Sequence, residues 1–337
     1  MHIDLRSDGV SKPSAEMLKA MMNARVGDDV FGDDPSVSDL EEYSAALFGK
    51  ESALFCPSGV MANQVALLVL TPAYKKYLCN EFTHTYYFET GGPASMKGID
   101  AVLCEHKNGI LDVSSAEDIL KNNADVKTAV IENTVNKGGG AIYKTNELKA
   151  LSELFKRYQI KTHLDGARIF NALAETGDKP EEIGKLFDTV SFCLSKGLGA
   201  PAGSMLTGTA EIIAEARKVR NKLGGAMRQA GYLAAAGLYA LKNNLHRIQE
   251  DHIHARIIAE ALKKNKWIKE VMETCTNIVI AKTENDVIRD QLLNCFRTEK
   301  LYAVPFGEGA FRMVTHLNIS REMALRAASI IESVKLV

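Results

Sequence analysis

The chain has 337 residues, more than one ordinary hydrophobic core organises, so two domains are expected. Hydrophobic residues make up 46%, which excludes wholesale disorder. The 41 basic and 42 acidic residues leave a net charge of −1, which gives no basis for binding nucleic acid or an anionic membrane.

Residues 1–12 show no clear periodicity and are expected to form an arm. The start Met1-His2-Ile3-Asp4 has no apolar h-region, so no signal peptide is read there and a cytoplasmic protein is expected. Pro13 to Ala24 reads as a helix, with Met17, Met21 and Met22 as its apolar stripe. Glycine, acidic residues and proline make 26–35 a loop. Ser36 or Ser38 is expected to cap a helix from Asp39 to Phe48, stopped by Gly49.

Glu51 to Cys56 alternates as a strand and runs through Pro57-Ser58-Gly59-Val60 into a helix ending near Leu70. Free amides at such a turn, with the helix dipole, suit a phosphate. Most turns of this kind merely connect elements. The apolar run Val65 to Leu70 is too short to span a bilayer. Lys76 to Asn80 is a strand, and the aromatic stretch from Glu81 to Pro93 carries His84 and Thr90. A histidine in such surroundings is usually a packed one; a flat cofactor beside it would change that. Ala101 to Cys104 is a strand, Ser115 to Lys121 a helix, and Thr128 to Glu132 a buried strand. Asn146 to Tyr158 is an amphipathic helix.

Lys161 to Leu164 is a strand that ends on Asp165, and Val190 to Leu194 is a strand that leads to Lys196 and a run of glycines. Gly203 to Thr207 is another strand. Thr209 to Leu223 is a helix with Arg217, Lys218, Arg220 and Lys222, read as a solvated basic face, and Gly224-Gly225 breaks it before Arg228. Ala230 to Lys242 is small and apolar, suited to burial or an interface. Helices Leu245 to Lys264, Asp286 to Arg297 and Arg321 to Val334 and strands Asn277 to Ala281 and Phe311 to His316 make a second unit. The alternation predicts an α/β fold, a mostly parallel mixed sheet between helices over 1–244, then a small α+β domain over 245–337. Six scattered cysteines with no ligand spacing read as reduced thiols, with no metal expected.

Alone, a strand-end lysine snorkels to solvent. Lys196 is joined by Asp165, about thirty residues upstream and also at a strand end. That pair is what pyridoxal phosphate requires, an amine for its aldehyde and a carboxylate for its ring nitrogen. Asn133 converges on the same sheet edge, where open α/β sheets bind ligands.

Several stretches in family order then resemble the low-specificity L-threonine aldolases, in the aspartate-aminotransferase-like superfamily (fold type I). They are Asp4-Leu5-Arg6-Ser7-Asp8, Val26-Gly27-Asp28-Asp29-Val30, Ser58-Gly59, Met61-Ala62-Asn63, Glu132-Asn133-Thr134, His163-Leu164-Asp165-Gly166-Ala167-Arg168, Ser195-Lys196-Gly197, Met227-Arg228-Gln229 and Arg312 with Val314-Thr315-His316. The resemblance covers nearly the whole chain. It implies that Lys196 holds the cofactor as a Schiff base, Asp165 pairs with the ring nitrogen, and His84 stacks on the ring and takes part in proton transfer. Gly59 and Val60 would hold the phosphate with Lys222 and Arg228, one of them from across a subunit boundary. Ser7, Arg168 and Arg312 would take the substrate carboxylate. The implied reaction is retro-aldol cleavage of a β-hydroxy-α-amino acid to glycine and an aldehyde. The implied assembly is a homotetramer of close dimers.

Four positions depart from the family pattern: Gly9 and Val60 for threonine, Phe31 for tyrosine and Val135 for histidine. Each removes a polar group. Loss of the histidine bears on the reaction, because it leaves His84 or a water as base. Three readings therefore stand at this stage. The first is an aldolase with altered β-hydroxy amino acid preference. The second is an enzyme of the same fold doing β-elimination or racemisation, and the third a non-catalytic binder of the cofactor.

Overall fold

A computed structural model describes residues 1–89 and 91–336. Thr90, in the aromatic stretch, and Val337, at the end of the second unit, lie outside the described residues. Seven strands form the main sheet: β1 (Ser52–Cys56), β2 (Lys76–Cys79), β3 (Asp100–Leu103), β4 (Val126–Glu132), β5 (Lys161–Asp165), β6 (Thr189–Cys193) and β7 (Ser204–Gly208). Their spatial order is β1-β7-β6-β5-β4-β2-β3. Every pairing from β6 across to β3 is parallel, while β7 runs antiparallel to both β6 and β1. Two reversals leave β1 pointing the same way as β6. Ser204 pairs with Cys56 on one side and Cys193 on the other. The turns that follow β1, β4, β5 and β6 therefore leave along one sheet edge.

Strands β4, β5 and β6 are buried along almost their whole length, as covered parallel strands are. The helices that flank this sheet include α1 (Ala15–Met22), α2 (Pro35–Leu47), α3 (Gly59–Leu70), α4 (Thr145–Arg157), α5 (Ala210–Lys222) and α6 (Gly231–Asn243). Helix α2 begins four residues before the expected start. Its cap is Asp34, whose carboxylate accepts from the amides of Ser36 and Val37 at 3.1 Å each, and Pro35 fills the first helical position. Proline fits there because that amide has no intrahelical partner to lose. Asp34 also accepts from the Gly231 amide at 2.9 Å, so one carboxylate joins the starts of α2 and α6. A side chain at Gly231 would collide with it.

The expected basic face of α5 needs correction. Arg220 is 1% exposed. It donates to the Phe55 carbonyl at 2.8 Å and to Asp29 at 2.6 Å. Arg217 beside it pairs with Glu41 at 2.5 Å. Burial of a cation requires such partners, and the 26–35 loop and α2 provide them.

The second sheet is antiparallel, in the order β8 (Glu270–Val271), β9 (Ile278–Lys282), β11 (Ala310–Val314), β10 (Val304–Pro305). Helices α7 (Ile248–Lys264), α8 (Asp286–Thr298) and α9 (Arg321–Ser333) close a separate apolar core around Leu262, Phe296 and Phe311. The arm is ordered here: Ile3–Asp4 pairs in parallel with Leu301–Tyr302, and Ile3 and Leu5 are buried in this core. No helix among the described residues is long and apolar enough to cross a membrane.

Candidate active site

The turns after β1, β5 and β6 enclose a cavity of about 450 Å³, lined by Gly9, Gly59, Val60, His84, Asp165 and Lys196 among others. That volume suits a small molecule. A wider groove of about 870 Å³ between α7 and α9 has no lysine–carboxylate pair of this kind; its charges pair at the surface, as Lys264 and Glu332 do at 3.0 Å.

Lys196 sits in the turn that leaves β6. The turn closes where the Gly199 amide donates to the Lys196 carbonyl at 2.9 Å. Gly199 has φ of +80°, and a side chain there would press on Leu317 at 2.5 Å, so glycine alone fits. Lys196 lines the cavity and is half-buried.

Asp165 ends β5 and is 2% exposed. It accepts from the Ala167 amide at 3.1 Å and from Asn63 Nδ2 at 2.8 Å. Asn63 projects from α3 and is held on its other side, where its Oδ1 accepts from Ser191 Oγ at 2.8 Å and meets His163 Nε2 at 3.1 Å. His163 is fully buried, and desolvation pushes its pKa down to about 4, so it is neutral. Asn63 Nδ2 faces the acceptor oxygens of Asp165 and Glu89, which turns its Oδ1 toward His163 and calls for the imidazole proton on Nε2.

The same Nδ2 donates to Glu89 at 3.0 Å, and Gln64 donates to the other oxygen of Glu89 at 2.8 Å. Glu89 in turn pairs with His84 Nδ1 at 2.7 Å. Glu132, at the end of β4 and opposite Asp165 in register, accepts from the His84 amide at 2.7 Å and the Asn136 amide at 2.8 Å. Burial lowers the His84 pKa, but the Glu89 hydrogen bond and the charges of Asp165, Glu89 and Glu132 outweigh it, and the net shift is upward. Burial, then the charge of Asp165, pushes Glu132 up to about 7.

The predicted carboxylate-binding residues gather beside the cavity, tied to the arm. Arg168 donates from Nε and Nη2 to Asp8 at 2.6 and 2.7 Å, which leaves Nη1 unspent. Arg312 donates to Asn136 Oδ1 at 2.7 Å and to the Arg6 carbonyl at 3.2 Å, and its Nε is buried without a partner among the described residues. Burial and the neighbouring Arg168 cation push the Arg312 guanidinium down to about 10. Two guanidinium groups that repel each other, with unsatisfied donors, suit an anion between them. Ser7 caps the turn Asp8–Val10, its Oγ accepting from the Gly9 amide at 3.1 Å.

At the other end, Ser58 caps α3 by accepting from the Met61 amide at 3.2 Å. A side chain at Gly59 would meet Cys193 Sγ at 2.8 Å, so the backbone lies close to the cavity wall. Val60 is 46% exposed. Lys222 and Arg228 are exposed and do not line the cavity of this chain; Arg228 bonds to Asp28 at 2.6 Å and lies over Phe31. Among the described residues, Lys196 is the only lysine or arginine lining the cavity. Val135 is turned into the core, packed on Gly109, and Phe31 is 77% exposed.

Sequence reasoning missed Asp8, Asn63, Glu89 and Asn136 as partners. One signal was readable: Asn63 and Gln64 interrupt an otherwise apolar helix, and buried amides need partners. Both turn out to serve Glu89.

The donor set fits pyridoxal phosphate: an amine, a buried carboxylate, a flat imidazole and a helix N-terminus on one cavity. Comparison with known proteins agrees. Residues 4–285 match the beta-eliminating lyase family. The chain is 41% identical over 334 residues to the low specificity L-threonine aldolase of Escherichia coli (strain K12), covering 97% of each. It is 32% identical over 333 residues to the low-specificity L-threonine aldolase of Candida albicans, covering 95% of this chain and 86% of that one. In fold it is similar to Leishmania major threonine aldolase, with TM-score 0.83, 19% identity and 98% of each chain covered. Sphingomonas wittichii serine palmitoyltransferase is also similar in fold, with TM-score 0.78, 15% identity and coverage of 98% and 86%. Fold type I is thereby shown, and the chain belongs to the low-specificity L-threonine aldolases of the beta-eliminating lyase family.

Proposed function

We propose that this protein uses pyridoxal phosphate to cleave L-threonine, L-allo-threonine or a related β-hydroxy-α-amino acid to glycine and an aldehyde. The observation that carries this reading is the placement of Lys196 and Asp165 on one cavity with His84. Lys196 would hold the cofactor aldehyde, Asp165 would pair with the ring nitrogen and His84 would lie against the ring. The Gly59 and Val60 amides, at the N-terminus of the twelve-residue α3, take the phosphate. Bound there, the cofactor supplies a sink for the electrons released when the Cα–Cβ bond breaks. Ser7, Arg168 Nη1 and Arg312 hold the substrate carboxylate. His84 Nε2 takes the proton of the β-hydroxyl.

Among the described residues, the cavity of one chain has no cation for the phosphate besides Lys196. Arg228 or Lys222 supplies it to a neighbouring subunit, within a homotetramer built from dimers. Exposed Met22 and Phe31 support such packing, since large apolar side chains usually avoid water. The large domain spans 1–244 and the small domain 245–337, the arm 1–12 reaching from the first to pack Ile3 and Leu5 into the core of the second. The protein is cytoplasmic, and neither nucleic acid nor a membrane is its partner.

Reduction with borohydride followed by peptide mass spectrometry tests the site, and pyridoxyl on Lys196 is the expected result. An unmodified Lys196 peptide rejects it. Aldehyde release from threonine, allo-threonine or phenylserine supports cleavage. A second reading, β-elimination or racemisation by the same site, draws on the buried Val135, which leaves one imidazole fewer. Pyruvate or inverted amino acid without aldehyde would establish that reading instead.

A further inference from the structure

Among the described residues His84 is the one imidazole on the cavity, and its Nδ1 is 2.7 Å from Glu89 Oε1. The Glu89 side chain is fully buried. Its second oxygen is taken by Gln64, and Oε1 is shared with Asn63, which also holds Asp165. A buried carboxylate held from both sides cannot turn away from its partner.

We propose that Glu89 is a positioning residue that fixes the His84 tautomer, keeping the proton on Nδ1 and leaving Nε2 as the base toward the cavity. The proposal rests on the aldolase reading only for what Nε2 does. A carboxylate behind an imidazole does two things. It selects the tautomer and it stabilises the imidazolium that forms when the far nitrogen accepts a proton. The chain Asp165–Asn63–Glu89–His84 also ties the group that faces the ring nitrogen to the group that faces the reacting oxygen. A shift of either is felt by the other through one amide.

Every charged group around His84 bears on its proton affinity. Glu89 lies on its own segment, Glu132 comes from β4 and Asp165 from β5. Lys196 lines the same cavity, and the Lys137 amine lies over the Tyr87 ring three residues on. The three carboxylates raise the affinity, with Glu89 the only one bonded to the ring. Removing the Glu89 charge should therefore lower it.

The test is a double-mutant cycle in the holoenzyme with Glu89→Gln and His84→Phe, which keeps a flat ring in place. Glu89→Gln alone is expected to lower kcat by roughly 10–100-fold. In the His84→Phe background the same change should cost less than about threefold, because the two residues act as one unit. An equal loss in both backgrounds overturns the proposal. The second readout needs no turnover: exchange of the imidazole C2 proton with deuterium, followed by mass spectrometry. The tryptic peptide 77–97 contains His84 as its sole histidine. Its midpoint is expected at lower pH in Glu89→Gln than in wild type, and an unchanged midpoint overturns the proposal even if the chain proves not to cleave threonine. Should Glu89→Gln fail to fold, Glu89→Asp replaces it in the cycle. That variant keeps the charge and withdraws it by one methylene, and its kcat loss should likewise vanish in the His84→Phe background.

Discussion

Arg168 meets Asp8 through two parallel bonds, Nε to Oδ2 at 2.6 Å and Nη2 to Oδ1 at 2.7 Å, with both side chains almost wholly buried. The pair joins the N-terminal arm to the segment that follows β5. Because Arg312 also reaches the arm, through the Arg6 carbonyl, the arm orders both arginines beside the cavity. A segment without periodicity thus becomes part of the site's frame.

Asp8→Asn is expected to lower the unfolding free energy by about 3–5 kcal/mol, since it leaves Arg168 buried without its counter-charge. Burial alone would raise Asp8, but Arg168, with Lys196 and Arg312, holds its carboxyl well below the usual carboxylate range. A depressed native value means that the stabilisation is complete above the unfolded pKa of about 4 and fades as pH falls toward the native one. Urea titrations of both proteins should therefore differ most near neutrality and converge in strong acid.

Val135 occupies the position where the resemblance implies a histidine. It is 1% exposed, and its side chain lies against the α-carbon of Gly109, which has φ of +84°. Val135→His is expected to cost about 1–3 kcal/mol by overpacking. It should bring no gain in kcat, because this position does not line the cavity. Thermal melts and threonine turnover of the variant check both statements.

Lys196 and Asp165 were legible because each ends a strand with a charge that apolar surroundings do not explain. The strands themselves were legible from their apolar runs. The direction of β7 was not, since alternation is the same read either way. Glu89 stayed hidden because the two amides that hold it, besides its neighbour His84, lie 25 and 26 positions away on α3, and Asn63 reaches Asp165 across 102 positions. Nothing local marks such bonds. Asp34 and Ser36 are both good caps, and the proline between them decides for the aspartate. In α5, Arg217, Lys218, Arg220 and Lys222 look alike in sequence; packing against β1 and α3 decides which one turns inward.

Arg220 makes a clear case. It is the bulkiest fully buried side chain, and it joins the β1 carbonyl of Phe55 to Asp29 in the 26–35 loop. Arg220→Met is expected to destabilise by about 1–3 kcal/mol, because Asp29, also buried, loses its closer cation and keeps only Arg217 at 3.4 Å, while the Phe55 carbonyl loses its donor. Arg220→Lys should recover only part, since a single ammonium cannot repeat the guanidinium's planar fork. Chemical denaturation of the two variants ranks them, and an Arg220→Lys protein as stable as wild type would contradict the fork's role.

Glu132 gives a pH signature. Burial and the charge of Asp165 raise its native pKa to about 7, against about 4.3 for an unfolded glutamate. Between those values the native state binds the proton and the unfolded state does not. Stability from this group is therefore complete below about pH 4 and is lost as pH rises through 7. Asp251, raised to about 6, contributes in the same window, so the comparison must be with a variant. Glu132→Gln does not titrate, and its single carbonyl oxygen accepts from only one of the His84 and Asn136 amides, so the slope with pH and not the absolute stability is compared. Cofactor-stripped wild type should lose stability from pH 5 to pH 8 more steeply than Glu132→Gln does. Equal slopes in the two proteins would mean that Glu132 ionises in the native state as readily as in the unfolded chain.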